Sequence, residues 1–200
     1  MNKFYLYGAS GHCKVIIDII KLNGGEICKI YDDDSSKTKF LDFNIINNFS
    51  EEDIQSNLIV TIGDNTIREK VVRKINKDCF TSIKHPSAIV DQTVTIMSGT
   101  VVMGGVVVNS SSIIGKHCII NTSSSIDHDC VIEDFVHISP NSTLCGGVTI
   151  GRGSHVGAGS VIIQGVKIGK NVTIGAGSVI INDIPDNVTV VGNPGKIIKK

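Results

Sequence analysis

Asp127-His128-Asp129 sets one histidine between two carboxylates, and a second histidine, His137, follows nine residues on. Imidazole titrates near neutrality, so it can take a proton from an amine or a hydroxyl, and an adjacent carboxylate can hold its tautomer and stabilise the imidazolium. Taken alone, His128 reads first as an exposed turn histidine. Its carboxylate neighbours and the second histidine shift the reading towards a general base. Successive residues on a strand face opposite sides, so one aspartate at most serves the ring, and Asp129 serves only if a turn brings it round. His12, His85 and His117 read as structural or solvent-facing, since His12 opens a helix and His85 precedes Pro86.

A repeat must position these groups. Every sixth residue from Val90 to Ile180 is Ile, Val or Leu, sixteen positions without a slip. Four residues after each of the first fifteen stands Val, Thr, Ser or Cys. Glycine often follows the aliphatic residue, as in Ile114-Gly115, Ile150-Gly151, Ile168-Gly169 and Ile174-Gly175. A period of six predicts a triangular coil of about eighteen residues with the aliphatic side chain in a narrow core. Coils stacked at about 4.8 Å then build a prism on the order of 25 Å tall.

In such a prism, residues eighteen apart share a corner and residues nine apart lie on different sides. His137 and His155 differ by eighteen and therefore stack, whereas His128 and His137 differ by nine. One prism cannot bring both of the latter onto one small substrate. Two prisms side by side can, which favours a site between subunits repeated in a closed ring. Gly157-Ala158-Gly159 and Gly175-Ala176-Gly177 are also eighteen apart. Stacked residues almost without side chains leave backbone amides reachable, a track for a long, thin, amide-bearing ligand such as the pantetheine arm of coenzyme A. Glycine that merely suits the corners explains either triplet alone equally well.

Residues 1–84 follow a different pattern. A strand over 4–7 runs into Gly8-Ala9-Ser10-Gly11-His12 and a helix from about 14 to 22. A second strand over 27–31 ends at Asp32-Asp33-Asp34, and a third over 58–62 leads through Gly63-Asp64-Asn65 into an amphipathic helix over 66–76. Strand, turn, helix, strand predicts a small Rossmann-like parallel α/β sheet. No element is assigned to 35–55. The expected division is 1–84, a β-helix over 85–185, and a closing segment over 186–200.

Lys+Arg and Asp+Glu both number 19, so the formal net charge is zero, which argues against nucleic-acid binding or an anionic membrane surface as partner. No apolar run is long enough for a membrane span, and the N-terminus lacks a signal-peptide cleavage region, so a cytoplasmic protein is expected. The six cysteines show no CxxC spacing and are read as reduced and mostly buried, with no metal site. Cys130 sits at the small core-side position of its hexad, which argues against a covalent acyl-cysteine step. An oxidoreductase is a weaker reading, because GASGH lacks the GxGxxG spacing. A non-catalytic β-helix scaffold is a third, and it predicts no dependence on His128.

The chain resembles the hexapeptide-repeat nucleotide-sugar acetyltransferases, typified by the UDP-4-amino-sugar N-acetyltransferase of bacillosamine synthesis and including sialic acid O-acetyltransferases. The resemblance runs through YGASGH, the DD after the second strand, IGDNTIR, HPSAIV, NTSSSIDHDC, FVHIS and IPDNVTVVGNPGK. It implies a left-handed parallel β-helix after the α/β domain, a homotrimer with sites between subunits, and acetyl-CoA as co-substrate. It implies His128 as the base that deprotonates the amine of a nucleotide-linked 4-amino sugar, UDP-linked first, with Asp129 polarising it. Asn121 would line the pocket, and His137, Ala158 and Ala176 would contact the coenzyme. Ser10, Gly11 and His12 would hold the diphosphate at the helix start, as helix N-termini hold anions. Asp32 and Asp33 would read the base, and Gly63 would lie beneath the nucleotide. The closing motif, usually NPAK, is here Asn193-Pro194-Gly195-Lys196, which loosens the placing of Lys196 near the coenzyme phosphates. O-acetylation of a sialic acid or related sugar is the alternative within this class.

Overall fold

The structure is a computed structural model that describes residues 2–199. Strand β1 (Lys3–Tyr7) leads to helix α1 (Gly11–Leu22), then β2 (Glu26–Tyr31), a short hairpin of β3 (Lys39–Phe40) and β4 (Phe43–Ile46), β5 (Leu58–Val60) and α2 (Asn65–Arg73). They form one sheet in the order β3-β4-β2-β1-β5, parallel except for the β3–β4 pair. The chain leaves β1 towards β2 on one side and returns to β5 on the other. The carboxyl ends of β1 and β5 are therefore a topological switch point, where open α/β sheets bind ligands.

Local chemistry sets the element ends. The α1 helix starts at Gly11, three residues before the expected 14, because Ser10 is extended and supplies the cap position. Thr61 ends β5 two residues early by turning its hydroxyl onto the Tyr7 and Gly8 carbonyls. Asp64 caps α2 through a 2.8 Å bond from the Ile67 N–H. The stretch 35–55, unassigned from sequence, holds β3, β4 and a 3-10 turn at Glu51–Asp53, and its Ile45 pairs with Ile30 to extend the sheet.

From Ile83 onward the chain winds as a parallel β-helix of two-residue strands, with three sheets, one on each face of the prism. Strand partners differ by eighteen, as in Ser125–Thr143, Val131–Thr149 and His137–His155. The hexad aliphatics are the core: Ile114, Ile120, Ile126, Ile138, Leu144, Ile150, Val156 and Ile162 have no exposed surface. The small residues beside them from Thr100 to Ser178 are buried, and the hydroxyls among them bond the main chain, for example Thr100 to the Gly115 carbonyl at 2.6 Å and Ser142 to that of Gly157 at 2.9 Å. Gly115 is required by the coil above, since a Cβ there would sit 2.7 Å from the Asp134 backbone nitrogen.

The repeat is irregular at both ends. Its first rung is Ile83–Lys84, which pairs with Val101–Val102, one strand before the Val90 hexad. The last turn loses two residues, because Ile168 pairs with Ile184 and Ile174 with Val190. The chain then reverses, and Lys196–Lys199 runs antiparallel to Thr189–Val191. Among the described residues, no helix is long and apolar enough to cross a membrane.

Candidate active site

At the switch point lies a cavity of ≈ 250 Å³, lined by Tyr7, Gly8, Ser10, Asp32, Asp33, Lys37 and Ile62 among others. Gly8 has φ +110, and a Cβ there would strike Ile62 at 2.6 Å, so glycine alone allows this close turn. Asp32 accepts from the Ala9 N–H at 2.7 Å, the Asp34 N–H at 3.0 Å and Lys37 Nζ at 2.8 Å, and these bonds offset the burial that opposes its ionisation. It therefore pins the Gly8–Ser10 turn from within. Asp33 is more exposed and accepts from the Tyr7 hydroxyl and, at 3.5 Å, from Lys74. Ser10 makes no side-chain cap bond, which leaves the first-turn N–H groups of α1 for an anion.

The His128 corner lies on the β-helix, in the turn after Ser125–Ile126. Asp129 sits in the left-handed region at φ +58, and this turn swings its carboxylate to 2.7 Å from His128 Nδ1. Asp127 accepts from the His128 backbone N–H at 2.8 Å and from Asn109 Nδ2 at 2.9 Å. The bond to Asp129, then the charge of Asp127, holds the His128 imidazole above its ordinary range. The ring projects over Gly146 in the next coil, where a Cβ would meet Cε1 and Nε2 at 2.7 Å. The Gly146 backbone N–H has no partner among the described residues.

His137 lies on another face of the prism, in the strand His137–Ile138, and its ring stacks on His155 at 4.8 Å and 8°. Asn121 Oδ1 accepts from the Thr122 N–H at 2.8 Å, so its Nδ2 is the atom 3.0 Å from His137 Nε2. An amide N–H donates, so Nε2 accepts and the ring proton is on Nδ1. Burial first, then His155, Arg68 and His12, push the His137 pKa down to about 3. His155 pairs with Ser139 Oγ at 2.7 Å and is also lowered, chiefly by burial. His12 has a buried Nε2 without a partner, and burial with the Arg68 charge takes it to about 4. His137, His155, Gly63, Asp64 and Asn65 share a cavity of ≈ 560 Å³.

Ala158 and Ala176 are exposed at the same corner of successive coils, joined by a 2.8 Å bond from the Gly177 N–H to the Ala158 carbonyl. Gly159 and Gly177 have φ +66 and +70 and no atoms near a notional Cβ, so the corner is smooth. Gly157 is different: a Cβ there would meet the next coil at 2.5 Å, so this glycine serves coil packing. Lys196 is exposed in the final strand.

The expected site residues thus fall at the sheet crevice (Ser10, Asp32 and Asp33), at the His128 corner, at the His137 strand, which Gly63 and His12 adjoin, and at the corner of Ala158 and Ala176. Sequence reading passed over Arg68, Asn65, Gly146 and Asn109. Gly146 was within reach, since it lies eighteen residues after His128. All six cysteines are free, and Cys130 is buried with its thiol pushed up by burial. No group of three or more His, Cys, Asp or Glu among the described residues could hold a metal ion.

Residues 3–75 match the PglD N-terminal domain, and 129–164 and 147–182 match the bacterial transferase hexapeptide (six repeats). A histidine variant of perosamine N-acetyltransferase from Caulobacter crescentus, solved with CoA and GDP-perosamine, has 34% identity and a TM-score of 0.92, covering 100% of this chain and 98% of that one. The chain belongs to the hexapeptide-repeat sugar acetyltransferases. The acetyltransferase domain of PglB from Neisseria gonorrhoeae FA1090, solved with acetyl coenzyme A, is 36% identical with a TM-score of 0.89 over 99% of this acetyltransferase and 100% of that domain. An uncharacterized protein of Acanthamoeba polyphaga mimivirus is 34% identical over 100 residues, 49% of this acetyltransferase, which covers 20% of that protein's length.

Proposed function

We propose that the protein transfers the acetyl group of acetyl-CoA to the amine of a nucleotide-linked amino sugar, with His128 as general base. The observation that carries this is the contrast between two histidines. His128 is exposed, held towards the imidazolium by Asp129, and has Nε2 free of partners among the described residues. His137 is half-buried, neutral, and has its lone pair engaged by Asn121. Environments that push two titratable groups apart assign the roles: His128 accepts the proton and His137 is a contact for the acetyl-thioester end.

The amine nitrogen attacks the thioester carbonyl as His128 Nε2 takes its proton. The tetrahedral oxyanion is met by the free Gly146 N–H beside that ring. Collapse breaks the C–S bond, and the coenzyme thiolate leaves with the proton from His128. Ser10, Gly11 and His12 hold the diphosphate, Gly63 lies beneath the nucleotide, Asp32 braces the turn, and Asp33 with Lys37 faces the nucleobase. The pantetheine lies along Ala158 and Ala176, with Lys196 near its far end. In this reading 1–84 binds the nucleotide, 85–185 performs transfer and 186–200 closes the prism. The site lies between two subunits of a homotrimer, because His128 and His137 stand on different faces of one prism.

The 4-amino sugars follow from the resemblance. The perosamine enzyme, solved with GDP-perosamine, makes GDP an equal candidate to UDP. The test is thiol release from acetyl-CoA with UDP-, GDP- and dTDP-linked 4-amino sugars and with free and CMP-linked sialic acid. Turnover with one of the amino sugars is expected. Turnover with sialic acids alone replaces the N-acetyltransferase reading by O-acetylation, and no turnover with any acceptor overturns both.

A further inference from the structure

Arg68 is the largest side chain with almost no surface, 1% exposed, and it has no carboxylate partner among the described residues. All five of its N–H donors are used. Nε donates to the His117 carbonyl at 2.8 Å, Nη1 to the carbonyls of Ile62 at 3.0 Å and Gly63 at 3.1 Å, and Nη2 to Asn65 Oδ1 at 2.7 Å and the Phe135 carbonyl at 3.1 Å. The acceptors come from three segments: the loop after β5, and two stacked coils of the β-helix. Burial, opposed by the charges of Cys118 and Asp64, lowers its pKa only to about 10, so it remains a cation.

Burying an unpaired cation is expensive, and apolar side chains of similar volume would hold two surfaces together at less cost. What a guanidinium adds is a rigid planar fork with five donors in fixed directions. We propose that Arg68 is a positioning residue whose fork sets the nucleotide crevice against the coil bearing His137. Gly63, in the crevice loop, and Phe135, two residues before His137, are held by the same guanidinium. Asn65 extends the clamp one coil further through bonds from Nδ2 to the Gly153 and Ser154 carbonyls at 3.0 and 3.1 Å. The distance from the diphosphate end of the acceptor to the thioester end of the coenzyme is then set by one side chain that touches neither. This rests on the transferase reading above, and it concerns only the placement of the two half-sites.

Arg68→Lys keeps the charge but offers a single nitrogen, which cannot span these acceptors. Calorimetry with UDP, GDP and CoA separately reads each half-site, and thiol release with the amino-sugar panel reads their alignment. Affinities within roughly 3-fold of wild type are expected, with kcat/KM per folded molecule lower by about 100-fold, the cost of an ångström-scale misplacement. Unchanged kcat/KM overturns the proposal, and so does loss of nucleotide and CoA binding in step with transfer, which a merely structural role produces. If Arg68→Lys does not fold, Asn65→Ala is measured in the same way. It removes one acceptor and leaves the guanidinium, so about a 10-fold loss of transfer is expected, and none overturns the proposal. A wild-type chain that acetylates nothing in the panel overturns the transferase reading instead. Arg68 is then judged by a crystal structure of Arg68→Lys: a shift of the 62–65 loop against the coil by about an ångström supports it, and an unmoved loop overturns it.

Discussion

The His128 imidazole occupies the space that a side chain at Gly146 would fill, with Cε1 and Nε2 both 2.7 Å from the notional Cβ. The ring is therefore placed from three directions: Asp129 at Nδ1, Asp127 at its backbone N–H, and the bare corner of the next coil beneath it. Gly146 is outside the positive-φ region, so alanine is tolerated by its backbone. Gly146→Ala is expected to leave the fold intact and lower kcat by about 10-fold or more, within the range that general-base catalysis contributes. Gly104→Ala is the control. It holds the same place in its hexad at a different corner of the prism, three coils before Ala158, where the added methyl meets His85 at an ordinary 3.5 Å, and its kcat is expected to match wild type.

The raised His128 pKa fixes the sign of a pH effect. The base must be neutral to accept a proton, so the acid limb of kcat/KM is expected to have its midpoint above the ordinary value of 6.5. Asp129→Asn removes the largest cause and moves that midpoint down, while also lowering the plateau rate. His128→Ala is expected to cost about 10²- to 10⁴-fold with little change in acetyl-CoA KM. An acid limb unmoved in Asp129→Asn rejects the pairing.

Two inactive variants should rescue each other if the site is shared. His128→Ala and His137→Ala, each purified and then mixed under subunit exchange, are expected to recover roughly a quarter of wild-type activity by random assortment in a closed ring. No recovery after verified exchange places both histidines in one chain's site. Light scattering on the wild type reads the assembly directly.

Buried neutral histidines make the fold acid-sensitive. His12 and His117 are held at about 4 and His137 at about 3, each chiefly by burial. Between pH 6.5 and about 4 the unfolded chain binds these protons and the folded chain does not, so stability falls as pH drops through that window. Each is expected to cost on the order of 1–2 kcal/mol at pH 5. Thermal scans from pH 7.5 to 5 check this, and His117→Phe, which keeps the ring between Phe80 and Phe135, flattens the slope.

The β-helix was legible because its period is enforced by sterics at every coil: one aliphatic inward, one small residue at the corner, and glycine where coils approach. Three of the N-terminal strands and both helices were legible for the same local reasons. The hairpin at 39–46 was not, since its two- and four-residue strands carry no alternating pattern and take their place from pairing with Ile30 and Tyr31. The pairing of Asp129 with His128 was conditional on a turn that the φ of Asp129 then supplied. Arg68 was hidden for a different reason. In a list of letters it is one more charge on an amphipathic helix, and only the tertiary arrangement reveals that it gathers oxygens of its own preceding loop and of two distant coils.

The shortened last turn has a further consequence. A stack of parallel strands ends in a row of unpaired amides and carbonyls, which is a template on which other chains polymerise. Here the final coil runs two residues short and the chain doubles back, so the last rung meets an antiparallel strand with lysines at both ends. A foreign strand finds that rung already paired, in the opposite direction and under positive charge. The returning strand thus leaves this end of the prism a closed face rather than the first segment of a fibre.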